Sequence, residues 1–346
     1  MVIKVVFNAR NTLYGSGGTV RWSTEVLSSI QKNPDFSVRT IAPRRSVLGR
    51  GVIAYFWEQF ILPFRVRKGE LLFSPSNLGP IFCKHQALVL HDLLPLRSNG
   101  DFSKRYELAL RIIYKILLKR TRLIFTVSNH VKDQIISEYP TVADKVFVIG
   151  CGVKEFQVSS SRTPSKDFSF CLIVGAHIRR KNLDFLLGIW AEVFKMTDCK
   201  LISTTRAVHD ITLASSNCMV EQTGVWYENI LDPDDFELAE LYTNAKFVLQ
   251  PSIGEGFGLP LLEGMSLGTP FVSSDVGAAT ELSVGSSRVL SLNADAWINY
   301  LVQVVNKPKC RSEIELQITE ANKYSWNLVA LKIVMAVDLQ YSAATA

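Results

Sequence analysis

The sequence predicts an α/β protein of two domains, each built on a parallel sheet covered by helices on both faces. Three observations carry this. Short apolar runs rich in β-branched residues alternate with helical stretches along most of the chain, the order expected of parallel sheets. At 346 residues the chain exceeds the roughly 250 to 300 at which a single core stops growing. Two glycine-rich junctions, residues 15–18 and 254–258, each join an apolar run to a helical stretch.

In chain order, Val2 to Phe7 reads as the first strand, Gly15-Ser16-Gly17-Gly18 as a glycine loop, and Thr19 to Gln31 as a helix. A dinucleotide fingerprint requires G-x-G-x-x-G at this place. The chain breaks that pattern with Val20 at the last glycine position, which argues against an NAD-dependent dehydrogenase. The loop either approaches a phosphate or only permits the turn.

Further strands are predicted at Val38 to Ala42, Leu71 to Phe73, Ala87 to Leu90, Leu123 to Val127 and Val146 to Ile149. Helices are predicted between them at Tyr55 to Phe64, Lys104 to Lys119 and Asn129 to Glu138. His91 and Asp92 follow one of these strands, where ligands of parallel sheets bind. An imidazole there can donate to a sugar hydroxyl or a backbone carbonyl, or order only its own loop.

Lys154 to Asp167 is rich in serine, lacks an apolar run, and reads as a linker between domains 1–160 and 161–324. A second alternating series follows at Phe168 to Val174, Lys200 to Ser203, Phe247 to Leu249, Pro270 to Ser273 and Arg288 to Leu290. Trp326 to Leu339 is a final helix with one apolar face.

Residues 1–165 carry 24 Lys and Arg against 11 Asp and Glu, whereas residues 166–346 carry 14 against 21. The basic half is expected to face an anionic partner, and a membrane surface fits better than nucleic acid, for which no binding motif is present. Lys104, Arg111, Lys115, Lys119 and Arg122 recur at helical spacing, and Leu108, Ile112, Ile113, Ile116 and Leu117 are expected largely on the opposite side. Two further basic clusters are Arg44, Arg45, Arg50 and Arg65, Arg67, Lys68; such surfaces either are solvated or rest on anionic lipid.

No apolar run approaches the roughly 20 residues of a spanning helix, and the first strand begins without a signal-peptide layout. A cytoplasmic protein is expected, with peripheral contact at the inner face of the membrane. The six scattered cysteines read as free, mostly buried thiols rather than disulfides or a zinc site.

Chemistry concentrates in Pro251 to Glu263, where strand, glycine loop and helix follow one another. A helix start leaves amides unpaired and favours an anion, most plausibly a phosphate. Gly256 and Gly258 allow close backbone approach and Pro260 fits the first turn, with Glu263 expected in that turn facing the loop. Glu255 and Glu263 beside a phosphate are electrostatically wrong unless they bind neutral hydroxyls, so a phosphorylated, polyhydroxylated ligand is implied. A nucleotide sugar meets both demands. Arg179, Arg180 and Lys181 ahead of Leu183 to Phe194 place three cations at a helix start, which an anion would offset.

Together these residues resemble the retaining glycosyltransferases of the family 4 type, with the two-domain GT-B architecture. The resemblance rests on Gly17-Gly18, Trp57-Glu58-Gln59, Phe73-Ser74-Pro75, His91-Asp92-Leu93-Leu94-Pro95, Gly175 followed by Arg180-Lys181-Asn182-Leu183, Pro251-Ser252, the E-x7-E pair Glu255 and Glu263, and Tyr324-Ser325-Trp326. It implies two Rossmann-like domains facing across a cleft, the first binding the acceptor and the second the nucleotide sugar, with residues 325–346 crossing back to the first domain.

It also implies site roles. Lys181 and Arg180, with Arg179, would neutralise the diphosphate, and Glu255 would hold hydroxyls of the donor sugar. Glu263 would hold those of the ribose, the amides of Phe257, Gly258 and Leu259 would lie near sugar and phosphate, and Gly17 and Gly18 would admit the phosphate. His91 would reach the sugar from the other domain. One departure is Ala176, where many relatives carry arginine.

No cofactor and no metal is expected. Asp232-Pro233-Asp234 matches the metal-binding Asp-x-Asp letters but precedes a helix, where capping is the better reading. The implied reaction is retaining hexosyl transfer in surface polysaccharide synthesis, to a lipid-linked or saccharide acceptor. The segment around His91 is similar to that of mannosyltransferases, so GDP-mannose is the leading donor and UDP-glucose or dTDP-rhamnose the alternatives. A front-face route is preferred to double displacement, for which Glu255 is the one candidate nucleophile seen. A protein that keeps the fold without activity is the competing reading.

Overall fold

The computed structural model describes residues 2–12, 17–44, 51–97, 104–156, 168–176, 178–205 and 225–342. Gly15, Ser16, Arg45, Arg50, Cys218 and most of the serine-rich stretch lie outside them. The chain forms two compact units, Met1–Gly152 with Tyr324–Ala346, and Val153–Lys323.

The first unit carries strands β1 (Ile3–Asn8), β2 (Phe36–Ile41), β3 (Leu71–Ser74), β4 (Gln86–Leu90), β5 (Leu123–Thr126) and β6 (Val146–Val148). All are parallel, in the order β2-β1-β3-β4-β5-β6. Register sets Val5 beside Val38 and Leu88 beside Ile124. Because helices cover both faces, the central strands bury nearly every side chain, which is why they read as continuous apolar runs rather than alternating ones.

The longer helices before the second unit are α1 (Gly18–Lys32), α2 (Gly51–Phe60), α3 (Lys104–Arg120) and α4 (Asn129–Glu138). On α3 the predicted apolar face holds at Leu117, which is buried, and fails at Leu108, Ile112 and Ile116. Leu110, Tyr114, Leu117 and Leu118 are the residues that pack inward. Leu108 is 61% exposed, and Ile112 and Ile116 are exposed too, beside Lys104, Lys115 and Lys119. Tyr114 and Leu118 make a complete inward stripe with Leu110, so the stripe at 108, 112 and 116 is left outside.

The second unit repeats the plan with β7 (Phe170–Val174), β8 (Lys200–Thr205), β9 (Tyr227–Leu231), β10 (Val248–Gln250), β11 (Phe271–Ser273) and β12 (Arg288–Val289), in the order β12-β11-β10-β7-β8-β9. Its helices are α5 (Leu183–Thr197), α6 (Asp235–Asn244), α7 (Leu259–Ser266), α8 (Ala294–Val304) and α9 (Arg311–Ala321). On α5, Leu183, Leu186, Leu187, Trp190 and Val193 recur at helical spacing and form one core with Leu201, Leu249 and Trp297.

Strand β9 escapes the apolar pattern. It sits at the sheet edge, half exposed, and meets β8 through polar side chains: Ser203 Oγ donates to Asn229 Oδ1 at 2.7 Å and lies 2.8 Å from Tyr227 Oη. Asp234 caps α6 reciprocally with Glu237, accepting from the amides of Phe236 and Glu237, which is the capping reading of the Asp-Pro-Asp segment. Cys171 and Cys199, 28 residues apart, bring their free thiols to 4.0 Å in the core, where burial pushes Cys171 well above the usual thiol range.

The last helix, α10 (Trp326–Ser342), belongs to the first unit. It buries Val329, Ala330, Ile333 and Val337, and Ser29 of α1 donates to the Trp326 carbonyl at 2.9 Å. Trp326 meets Trp22 edge-on at 6.4 Å. Gly152 lies directly under this contact: an added Cβ would stand 2.5 Å from the Trp326 amide nitrogen and 2.6 Å from its ring. Since backbone cannot rotate away, Gly152→Ala is expected to lower stability by about 1–3 kcal/mol. Thermal unfolding of the full chain checks this, and an unchanged midpoint would show that α10 is not seated as described.

Candidate active site

In open parallel sheets a ligand crevice forms at the carboxyl ends of the strands where chain order reverses. In the second sheet that point lies between β7 and β10. Two loops leave it, one running through Arg179–Lys181 and the other through residues 251–258. The predicted catalytic residues of this unit all fall on them.

The first loop forms one 3-10 turn, Arg179–Lys181, and then Asn182 takes a left-handed conformation, φ 56°, before α5. Asn182 makes no side-chain cap on α5; its side-chain Nδ2 donates instead to the Pro251 carbonyl at 3.1 Å. The Ile253 amide donates to the Arg180 carbonyl at 2.9 Å, and Arg180 donates to the Gly254 carbonyl at 3.2 Å. These three bonds hold the two loops together.

Glu255 is clamped where they meet. Its Oε1 stands 2.8 Å from Lys181 Nζ and its Oε2 2.6 Å from the Arg180 guanidinium. Ser252 Oγ donates to Oε1 at 2.9 Å. The Glu255 side chain is only 7% exposed, so burial alone would raise its carboxyl; Lys181 and then Arg180 outweigh that and hold it at about 2. The ion cluster carries one carboxylate against two cations, leaving net positive charge. Arg179, in the same turn, is exposed.

Beside the cluster, Gly258 is the N-cap of α7 at φ 96°, with no side chain capping the helix and Pro260 in its first turn. A Cβ on Gly258 would stand 2.8 Å from Gln250 Nε2, and the positive φ would strain any other residue. Phe257 is buried, and its carbonyl accepts from the Ala278 amide at 2.9 Å. That contact fits because Gly277 has no Cβ to meet it. Leu259 opens α7. Glu263 lies one residue past the first turn, not within it, and is buried with Oε2 accepting from Tyr242 Oη at 2.6 Å. Ala176, where the resemblance implies arginine, is buried and its amide donates to the Thr204 carbonyl at 2.9 Å.

In the first unit the order reverses between β1 and β3. Gly17, at φ 111°, is the N-cap of α1, again with no side-chain cap, and Gly18 is the helix's first residue. Both switch points therefore carry a helix that begins at a glycine without a side chain to satisfy its amides. His91, after β4, is buried. Its Nε2 lies 2.8 Å from the Pro75 carbonyl, which accepts only, so Nε2 carries the proton. Its ring meets Trp22 edge-on at 4.9 Å, and burial holds the imidazole below its usual range, hence neutral. Of the alternatives in the sequence, the backbone carbonyl is the partner observed.

The supports of the cluster were less legible. Ser252 lies within the apparent motif, yet its bond to Glu255 depends on the loop's fold. Tyr242, 21 residues before Glu263, gives no spacing signal at all.

Residues 169–307 match the family described as glycosyl transferases group 1. The chain is 26% identical over 263 residues to the O-antigen chain mannosyltransferase RfbU of Salmonella typhimurium, covering 73% of this chain and 70% of that protein. It is 25% identical over 238 residues to O-antigen chain mannosyltransferase B of Escherichia coli, covering 64% of this chain and 62% of that protein. The solved sucrose-phosphate synthase from Thermosynechococcus elongatus shares the fold with TM-score 0.76 at 14% identity, over 99% of this chain and 100% of that one. The architecture is thus that of the GT-B glycosyltransferases. This chain is a glycosyltransferase, similar in its second unit to the group 1 glycosyl transferases and along more of its length to O-antigen mannosyltransferases.

Glu255→Gln leaves the Lys181 ammonium buried without its carboxylate and is expected to lower stability by about 3–5 kcal/mol near neutral pH. The folded carboxyl lies at about 2, below its ordinary 4.5, so the pairing stabilises above the ordinary value and is lost as pH falls toward about 2. Denaturant titrations of wild type and variant should therefore differ most near neutrality and converge in acid. A difference independent of pH would contradict the pairing.

Proposed function

We propose that the chain transfers a hexose, with mannose from GDP-mannose as the leading donor, onto a lipid-linked or saccharide acceptor in surface polysaccharide synthesis. The observation that carries this reading is the cluster of Arg180, Lys181 and Glu255 at the second unit's switch point, next to the uncapped start of α7. Two cations and a helix start suit a diphosphate, whose charge grows as the leaving group departs, so the same groups stabilise the transition state more than the ground state. The similarity to O-antigen mannosyltransferases favours mannose over glucose or rhamnose.

Glu255 and Glu263 are read as hydroxyl ligands of sugar and ribose, and the amides of the Phe257–Leu259 turn as neighbours of sugar and phosphate. His91, neutral with Nε2 bonded to Pro75, keeps Nδ1 as an acceptor and would serve by positioning rather than by proton transfer. The route is retaining and front-face. A carboxylate clamped by two cations and held at about 2 is a weak nucleophile, which supports that route over a covalent intermediate on Glu255.

Purified protein incubated with GDP-mannose, UDP-glucose and dTDP-rhamnose is expected to consume GDP-mannose fastest. Lys181→Ala and Glu255→Ala should each reduce turnover by about a hundredfold or more. Wild-type turnover in both variants would remove the site, and indifference to every donor would remove the activity. Proton NMR of the anomeric centre in the product reports retention.

A further inference from the structure

Helix α2 is built the wrong way round for a helix facing water. Its inward side carries Glu58 and Gln59, both buried. Asn8 Nδ2 donates to Glu58 at 2.6 Å, Arg10 pairs with Glu58 at 3.1 Å, and Gln59 bonds the Gly79 carbonyl and the Ile81 amide, each at 3.0 Å. Its outward side carries Phe56 and Phe60, both exposed and stacked on each other at 5.3 Å. The short turn Leu62–Arg65 extends this ridge with Phe64, 88% exposed. A polar helix face held inside by specific bonds, with phenylalanines outside, has a reason only if something apolar covers the outside.

The ridge is continuous with the outward stripe of α3. Pro63 and Val66 line a shallow groove shared with Phe82, which is also exposed. The Arg120 guanidinium stands over the Phe82 ring at 5.9 Å, and its Nε donates to the Ile81 carbonyl at 3.0 Å. Arg120 is the fourth residue after Ile116, so Leu108, Ile112 and Ile116 run along α3 directly toward Phe82. Two helices and one loop thus present a single apolar surface on the first unit.

Its rim is cationic. Arg65, Arg67, Lys68 and Lys84 surround the phenylalanines and are exposed; Lys115 and Lys119 flank the α3 stripe. Two nearby carboxylates are engaged by other groups, Glu70 by Arg39 at 2.7 Å and by the Arg67 amide, and Glu138 by Arg111. A second copy of the chain would set cations against cations across a twofold contact. A layer of phosphates above an apolar interior matches both the rim and the ridge.

We propose that this surface seats the first unit on an anionic phospholipid bilayer, with the phenylalanines and the α3 stripe entering the boundary between headgroups and acyl chains and the rim meeting lipid phosphates. This goes beyond the donor chemistry and does not depend on which sugar is transferred. No described helix is long and apolar enough to cross a membrane, so attachment would be interfacial.

The test is co-sedimentation of the full chain with vesicles of phosphatidylcholine alone and of phosphatidylcholine mixed with phosphatidylglycerol. Binding is expected to the mixed vesicles, weakening with added salt, and to be at least about tenfold weaker to the neutral ones. Phe60→Ser with Phe64→Ser, and separately Ile112→Ser with Ile116→Ser, should each weaken it by about tenfold or more. Leu292→Ser, an exposed apolar residue of the second unit, should not. Donor consumption without vesicles should be unchanged in these variants, which separates a failure here from a failure of the enzyme reading. Equal binding to neutral vesicles, or serine variants that bind as wild type, would overturn the proposal. So would light scattering that shows a dimer abolished by the same substitutions, which would make a second copy the occupant.

Discussion

A buried carboxylate between two cations governs the second unit. Glu255 holds Lys181 and Arg180 from loops that leave different strands of the sheet, and their positions follow from that contact. Removing a charge from water costs several kcal/mol unless it is paired and hydrogen-bonded. Here the pairing is completed by the Ser252 hydroxyl, while Asn182, Ile253 and Gly254 tie the surrounding backbone. The low carboxyl value, about 2, reports that the cations outweigh burial. The same excess of cations over acid suits the loops to an incoming diphosphate.

Sheet topology determines why these loops meet. Reversal of strand order between β7 and β10 leaves a crevice that no crossover helix fills, and the glycine at the start of α7 lets the backbone turn there with φ 96°. The first unit repeats the device between β1 and β3, with Gly17 at φ 111° opening α1. A helix start without a side-chain cap thus stands at each switch point. The net charge follows the outer surface, where lysines and arginines frame the phenylalanines of α2 and the stripe of α3.

Much of this was legible in the chain. Strands buried on both faces read as apolar runs, so β1, β3, β4, β5 and β7 stood out. The E-x7-E stretch and the Arg180-Lys181 turn singled out Glu255, Lys181 and Arg180, which the fold brings into one cluster, because loops at strand ends carry their chemistry in local sequence. What was hidden depended on tertiary contact. Edge strand β9 satisfies itself through Ser203, Tyr227 and Asn229 and so carries no apolar signal. On α3 two apolar stripes compete, and periodicity alone cannot say which one the core accepts. The bond from Tyr242 to Glu263 joins helices far apart in sequence, and the pairing of Glu255 with Lys181 spans 74 residues.

The most direct measurement of the central claim is the affinity of the chain for GDP, by calorimetry, in wild type and in Lys181→Met. Met keeps the buried stem and removes only the charge. If the cluster holds the diphosphate, the variant binds GDP about tenfold or more weakly while its fold, read by circular dichroism, is retained. Equal affinity in the two proteins would contradict the assignment of this cluster to the donor.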